Sequence, residues 1–244
     1  MPFRKNRILL ITLIFSIIFT KSYSQNNPIE YTVELNSNIS TANTLPFWQT
    51  ANKFGAVPNN NHLSTYISLF SDFKNSKSNF DFSYKASFTG LKETKNNILI
   101  NELYTSTRYK NIQLDLGVKH PEILWDGLSS SNGNVAISGN ARSFPGYNIS
   151  LIKYVKLPFA KKWLSVKGNY SDYLMNDKRV VTNTRLHSKS LFFKSKLSSK
   201  LDLITGLNHY AQWGGISSIQ GKQPYAFKDY LNQKFEGNLF CFQS

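Results

Sequence analysis

Five residues combine flat aromatic rings with groups that form charged hydrogen bonds, and all five lie in irregular parts of the sequence. They are Trp125, Asp126, Arg142, Tyr210 and Trp213. Sugar rings stack on flat aromatic faces, and planar charged groups bind hydroxyls and carboxylates. We therefore take these five as candidate glycan-binding residues. Two alternatives stay open: both tryptophans fit a membrane-interface belt or a loop core, and Arg142 could pair with an internal acid and brace the wall of the fold.

Residue patterns for catalysis or metal binding are weak. Glu122 and Asp126 could form a carboxylate pair for glycoside chemistry, but acidic pairs in loops are far more often solvated. The four histidines share no spacing of zinc ligands: His62, His120, His187 and His209. A single cysteine, Cys241, provides neither an intrachain disulfide nor a thiolate cluster. We expect a protein that is not an enzyme and holds no metal or cofactor.

Apolar residues recur at every second position after residue 25. In 80–88 the aromatic residues Phe80, Phe82, Tyr84 and Phe88 alternate with polar ones, and 112–118 alternates in the same way. Side chains of a strand point to opposite faces in turn, so each such segment has one apolar and one polar side. The segments 191–197 and 201–208 also alternate, and less regular examples cover 31–39, 63–73, 98–109, 147–157 and 163–173. The pattern predicts an all-β, antiparallel protein of about nine or ten strands.

The lengths of these segments favour a transmembrane β-barrel over a soluble sandwich. Strands of about ten residues joined by short polar turns are typical of membrane barrels, whereas sandwich strands usually have about five or six. Aromatic residues also stand at predicted strand ends, as Tyr109, Tyr147, Trp163 and Tyr173 do. Such residues form interfacial girdles in barrels. The segments 45–58 and 119–145 interrupt the pattern and are predicted to be long, functional or plug-like connections.

The first 24 residues have the features of a cleaved export signal. Arg4, Lys5 and Arg7 precede an apolar run over 8–19, and small polar residues follow it. That run is too short for a membrane-spanning helix, which needs about 20 apolar residues. We therefore expect residues 1–24 to be a signal peptide.

The basic balance of the chain points to anionic partners outside the cytoplasm. The sequence has 29 Lys and Arg against 14 Asp and Glu, a formal net charge of +15. Such a surface attracts polyanions in general. Because an exported protein meets the cell surface, we expect outer-membrane lipid, lipopolysaccharide and acidic or neutral surface polysaccharide as partners, and no nucleic acid.

The irregular segments resemble a known family. The chain is similar to the bacterial capsule-assembly outer-membrane β-barrel proteins (Wzi type), in their Bacteroidetes branch. The similarity lies in a series of short motifs: 46–48 (PFW) with Gly55 and Pro58, 101–104 (NELY), 127–130 (GLSS), 138–142 (SGNAR), 209–215 (HYAQWGG), 221–224 (GKQP) and 227–230 (FKDY). These motifs, in this order and at this spacing, together cover most of residues 45–231.

The resemblance implies a large outer-membrane barrel that catalyses nothing and retains capsular polysaccharide or exopolysaccharide at the cell surface. Family members have about twice this length, so we expect 25–231 to be a partial barrel, the N-terminal half of a larger one. Residues 232–244 do not resemble what should follow. We therefore expect an atypical tail there, produced by truncation or a frameshift.

Two other functions share the same alternation. The first is an outer-membrane porin or solute channel, which has the same strand pattern. The second is an exported soluble β-sandwich, either a binding module or a carbohydrate-active enzyme. The sequence leaves open the particular polysaccharide, the face of each strand that lines a lumen, and the oligomeric state.

Overall fold

The protein is built from antiparallel β-strands. The computed structural model describes residues 29–74, 79–92, 96–123, 134, 136–160, 163–177 and 179–225. Nine long strands form one sheet: β1 (Glu30–Asn38), β2 (His62–Ser71), β3 (Phe80–Lys92), β4 (Asn96–Tyr109), β5 (Ile112–Val118), β6 (Pro145–Leu151), β8 (Leu164–Met175), β10 (Thr184–Lys196) and β11 (Asp202–Trp213). The predicted all-β antiparallel class is confirmed.

Short elements complete the described part. The strand β7 (Val155–Lys156) pairs with β8, and β9 (Val181–Thr182), β12 (Ile216–Ser217) and β13 (Gly221–Lys222) form a separate small sheet. A single helical turn, α1 (Phe47–Thr50), and a 3-10 turn (Pro158–Ala160) lie in two connections. None of the described helices has the length and apolar character needed to cross a membrane.

Successive long strands pair in chain order, and every neighbouring pair is antiparallel. The two longest connections, 39–61 and 119–144, therefore lie at the same end of the sheet, here named the upper end. Residues 176–177, 179–183 and 214–225 lie at this end as well. Tight turns such as 110–111 and 197–201 lie at the opposite, lower end. In the described residues β1 and β11 are the outermost strands, and the sheet is not closed.

The alternation along the strands gives the sheet two unlike faces. The pairing register places Val33, Ile67, Phe88 and Ile100 on one face, with Leu103, Leu116, Ile149, Leu191 and Leu207, which we name the apolar face. The other, named the polar face, carries Ser68, Ser87, Glu102, Ser106, Asp115, Asn148, Ser171, Ser188 and Tyr210. Register therefore sorts side chains by polarity.

Burial is inverted relative to a water-soluble protein. On the polar face Ser87 and Ser106 are completely buried, whereas Val33 (65% exposed) and Ile98 (80% exposed) project from the apolar face. Among the described residues 17 polar or charged side chains are buried, but only five hydrophobic ones are. Water-soluble folds bury Ile, Val and Leu first. The described sheet therefore packs its polar side chains together and leaves its apolar side uncovered.

The expectation of one strand over 147–157 is wrong in detail. The strand β6 ends at Leu151, which pairs with Ile112, the first residue of β5. Beyond that point β6 has no further β5 residue to pair with, and the Ile152 amide instead donates to the Asn111 carbonyl. The chain bends there and resumes as β7 beside β8. Short turns connect β4 to β5 at 110–111 and β10 to β11 at 197–201.

One glycine in a central strand permits a close approach of backbones. Gly117 has a φ of +116°, and a Cβ built on it would lie 2.1 Å from the Leu103 carbonyl oxygen. Gly90 has ample room, since the nearest atom to its Cβ position is 3.9 Å away. Glycine is therefore required at 117 for its φ and for the space, but not at 90.

Gly117→Ala should cost about 3 kcal/mol or more of stability, since the backbone strain and the clash with β4 must both be relieved by moving strands. Gly90→Ala should change stability by less than about 1 kcal/mol in either direction. Urea unfolding of both purified variants, followed by circular dichroism, measures the difference. Equal midpoints for the two variants would contradict the assigned geometry.

Candidate functional site

The centre of the polar face is organised around one carboxylate. Asp115 on β5 accepts a hydrogen bond from the Ser106 hydroxyl of β4 and pairs with the Lys119 ammonium at 2.6 Å. The amides of Gln113 (2.8 Å) and Asn148 (3.2 Å) also donate to it. A buried carboxylate is costly unless its lone pairs are filled. These four donors satisfy that requirement and tie β4, β5 and β6 together.

The hydrogen-bond network continues across the sheet. The side-chain carbonyl of Asn148 accepts a hydrogen bond from the side-chain amide of Asn169 at 3.3 Å. The side-chain carbonyl of Asn169 in turn accepts one from the Ser190 hydroxyl. The chain of contacts thus runs from β5 through β6 and β8 to β10. Networks in which each member is satisfied are rigid and fix side-chain positions. The polar face therefore presents a fixed array of amides, hydroxyls and charges.

A second ion pair lies toward the upper end. The Lys85 ammonium on β3 is 2.6 Å from the Glu102 carboxylate on β4, and it also lies 5.9 Å from the Phe70 ring centroid. The other Glu102 oxygen accepts the backbone amide of His120 at 3.1 Å. Glu102 therefore joins the sheet to the start of the long connection that follows β5.

The two long upper connections are joined to each other. We name residues 52–55 and 139–143, together with His120, the clasp. The Phe54 and His120 rings stack with centroids 4.1 Å apart and an angle of 10° between their planes. The Phe54 amide donates to the Gly139 carbonyl (2.7 Å), and the Asn52 amide donates to the Asn140 side chain (2.6 Å). Contacts between segments so distant in sequence hold both connections at the upper end.

Part of the clasp is strained. Asn52, Phe54 and Gly55 all have left-handed backbone conformations, with φ of 57°, 51° and 63°. That region is unusual for a bulky residue such as Phe54 and costs on the order of 1–3 kcal/mol. The ring stack and the hydrogen bond to Gly139 hold Phe54 in place. A Cβ on Gly55 would also press against Arg142, whose Cγ would be 3.0 Å away.

The structure places the predicted glycan-binding residues in different surroundings. Arg142 belongs to the clasp, where its guanidinium donates to the Ile100 carbonyl of β4 at 2.6 Å. It does brace the sheet, but through this backbone carbonyl instead of the acid that was the alternative. Tyr210 and Trp213 both lie within β11 and not in irregular segments, so that part of the expectation is wrong. Tyr210 lies on the polar face opposite Ser188 of β10. Trp125 and Asp126 lie outside the described residues.

Trp213 lies on the apolar face and not beside Tyr210. It is registered with Arg185 of β10, whose guanidinium carbon is 5.5 Å from the indole centroid. Residues three apart in a strand point to opposite faces, so the sequence spacing already separates Tyr210 from Trp213. This position keeps Trp213 out of a site on the polar face.

The network itself was missed at the level of sequence. Asp115, Lys85 and Glu102 were not among the candidates, although the alternation had already placed Asp115 and Lys85 on polar sides. The sequence feature that could have identified them is an ionisable residue at a polar position in the middle of a predicted strand. Concerning metals, the described residues contain no group of three or more His, Cys, Asp or Glu side chains that could hold an ion.

Comparisons with family models and with curated proteins find no match. The resemblance to the capsule-assembly family therefore stays a prediction from the short motifs, and the function has to be argued from the geometry of the sheet and the clasp.

The clasp contains a histidine whose charge state is coupled to its packing. Burial lowers the pKa of His120, and the nearby cations Lys85 and Arg142 lower it further, against the opposing effect of Glu102. His120 is therefore neutral in the folded clasp near neutral pH. An opened clasp returns this pKa to about 6.5. Below that value the open form binds a proton that the closed form resists, so acid destabilises the clasp.

We expect the protection of the Phe54 amide against hydrogen exchange, corrected for intrinsic rates, to fall as the pH drops below about 6.5. His120→Phe keeps a stacked ring and removes the titrating group, so its clasp should lose this dependence. Exchange mass spectrometry of both proteins measures the effect. If His120→Phe lost protection to the same extent at low pH, the pH dependence would belong to a titrating group other than His120.

Proposed function

We propose that the chain forms the wall of an outer-membrane β-barrel that binds and retains capsular polysaccharide or exopolysaccharide at the cell surface. The observation that carries the membrane location is the inverted burial, with exposed Val33 and Ile98 on one face and buried Ser87 and Ser106 on the other. Lipid is the medium in which an exposed apolar face is favourable. Strands also satisfy their backbone groups within the sheet, as the hydrocarbon interior of a membrane demands.

The connections support an orientation in that membrane. Outer-membrane barrels have short turns on the periplasmic side and longer loops outside. The connections 39–61 and 119–144 lie at the upper end, and the turns 110–111 and 197–201 lie at the lower end. The upper end, with the clasp, then faces the cell exterior, where a surface polymer would be met.

The polar face supports a polymer of sugars as the ligand. Amides, hydroxyls and paired charges fixed around Asp115 offer donors and acceptors to sugar hydroxyls. Tyr210 adds an aromatic ring on the same face, and Arg142 lies in the clasp at the upper end. These residues suit the retention of a surface polymer, the role that the resemblance to the capsule-assembly family implies.

Deletion of the gene should release surface polysaccharide into the medium, and the wild-type gene should restore its retention. Tyr210→Ala should bind the polymer about tenfold more weakly, since it loses a stacking ring, and should restore retention incompletely. Phe88→Leu removes an exposed aromatic ring from the opposite face, outside both proposed binding sites, and is the matched control that should restore retention fully. The measurement is the ratio of free to cell-bound polymer. A deletion strain that sheds nothing would refute the proposal.

A solute channel is the second candidate. It is favoured by the polar face, where Lys85, Glu102, Asp115 and Lys119 place charges of both signs, as the interior of a water-filled barrel does. The clasp argues against an open passage, because it is bound to the upper part of the same face through Glu102 and the Ile100 carbonyl.

We expect the wild-type protein to conduct little in planar lipid bilayers while the clasp is closed. Phe54→Ala removes the stacked ring and should raise the frequency of open events. Phe47→Ala, in the same connection but exposed and outside the clasp, is the control and should leave the conductance unchanged. A large, steady wild-type conductance would instead favour the channel.

A further inference from the structure

The apolar face changes character over part of its area. Along β8, β10 and β11 two registered rows toward the lower end are mainly apolar: Val166, Phe193 and Thr205, then Gly168, Leu191 and Leu207. The next three rows toward the upper end are Tyr170, Lys189 and His209, then Asp172, His187 and Ala211, then Leu174, Arg185 and Trp213. We name the charged and aromatic members of these upper rows the basic patch.

The basic patch is a packed cluster. The Arg185 guanidinium pairs with the Asp172 carboxylate at 2.9 Å and lies over the Trp213 ring. His187 is completely buried and meets the Tyr170 ring edge-on at 4.6 Å between centroids. Tyr147 of β6 stacks on Tyr170 at 6.4 Å, which extends the patch to a fourth strand. The side chains are therefore held by one another and not spread singly over the surface.

The charge of the patch is positive. Arg185 and Lys189 oppose the single carboxylate of Asp172, and two imidazoles lie between them. Farther along the sheet the upper part of the same face exposes Leu35, Leu63, Ile98 and Ile100, together with the cation Lys92. The cluster of charged and aromatic side chains that interrupts the apolar face is therefore confined to β6, β8, β10 and β11. A cationic, aromatic rim directly above exposed Leu191 and Leu207 matches a molecule with an anionic head and apolar tails.

We propose that the basic patch binds the phosphorylated headgroup of an outer-leaflet lipid whose acyl chains lie against Ile149, Leu191 and Leu207. This inference rests on the proposed membrane location. The three apolar residues are each 45–48% exposed, so they offer contact area to acyl chains. The phosphate lies at the level of Lys189, and Arg185, oriented by Asp172, lies above it. The Tyr170 ring lies level with Lys189, and the Tyr147 and Trp213 rings lie above it, beside the headgroup.

The test uses the full chain purified in detergent and native mass spectrometry with two probes, diphosphorylated lipid A and the same lipid after removal of both phosphates. The wild-type protein should retain the phosphorylated lipid preferentially. Lys189→Gln should weaken that preference about fivefold, the contribution of one cation near an anionic membrane surface. Lys189→Arg should keep it. Lys92→Gln is the matched control, since Lys92 is an exposed cation at the upper end of β3 on the same face.

Excess inorganic phosphate should leave the lipid bound, because the acyl chains contribute to its binding. Equal retention of both lipids, or an unchanged preference in Lys189→Gln, would overturn this inference alone. Insertion of the wild-type chain into lipid vesicles is measured in parallel by protection from protease. This measurement tests the proposed membrane location separately from lipid binding by the basic patch. A wild-type chain that fails to insert would overturn both.

Discussion

The buried carboxylate of Asp115 is the constraint on which the polar face depends. It can stay charged within the sheet only because Ser106, Gln113, Lys119 and Asn148 all contact it. Removal of one partner would leave a buried charge short of hydrogen bonds, at a cost of a few kcal/mol. Because the partners come from β4, from β5 and the residue that follows it, and from β6, the requirement also fixes the register of these strands. A shift of one residue would carry Asp115 to the apolar face.

The antiparallel pairing of the strands also limits how the sheet can continue beyond β1 and β11. All neighbours along the path from β1 to β11 are antiparallel, and the path contains nine strands. The strands β1 and β11 therefore run in the same direction. In a closed barrel whose neighbours are all antiparallel, an odd number of strands separates β11 from β1. Closure also satisfies the backbone groups along both outer edges, which hydrocarbon cannot solvate.

Much of the fold could be predicted from the sequence because alternation is a local property. The aromatic residues of 80–88 define one side of β3 with no knowledge of its neighbours, and the short polar stretches at 110–111 and 198–200 mark turns by composition alone. The break between β6 and β7 was not predictable in this way. It depends on where the β5 partner begins, at Ile112, and pairing partners are set by tertiary structure.

The site was less predictable than the fold, for a related reason. The identity of Tyr210, Trp213 and Arg142 indicates the chemistry they can perform but not the partners they meet. Period two separates Tyr210 from Trp213, so the sequence alone could have placed them on opposite faces. No pattern in the sequence indicates that Phe54 stacks on His120, because 65 residues lie between them and the contact requires a left-handed Phe54.

The separation of the two faces has a functional consequence. A ligand of sugars needs fixed hydrogen-bonding groups, which the sheet provides around Asp115, whereas a lipid needs an exposed apolar surface with charge at its rim, as at Leu191 and Lys189. Since alternate residues of one strand supply each set, β10 contributes Ser188 to one face and Lys189 to the other. The backbone between them is shared, but the side-chain contacts are not.

Substitutions confined to one face therefore leave the contacts on the other in place, and additive effects are expected for residues without shared partners. The two proposed binding functions can thus be measured independently, although they use the same strands.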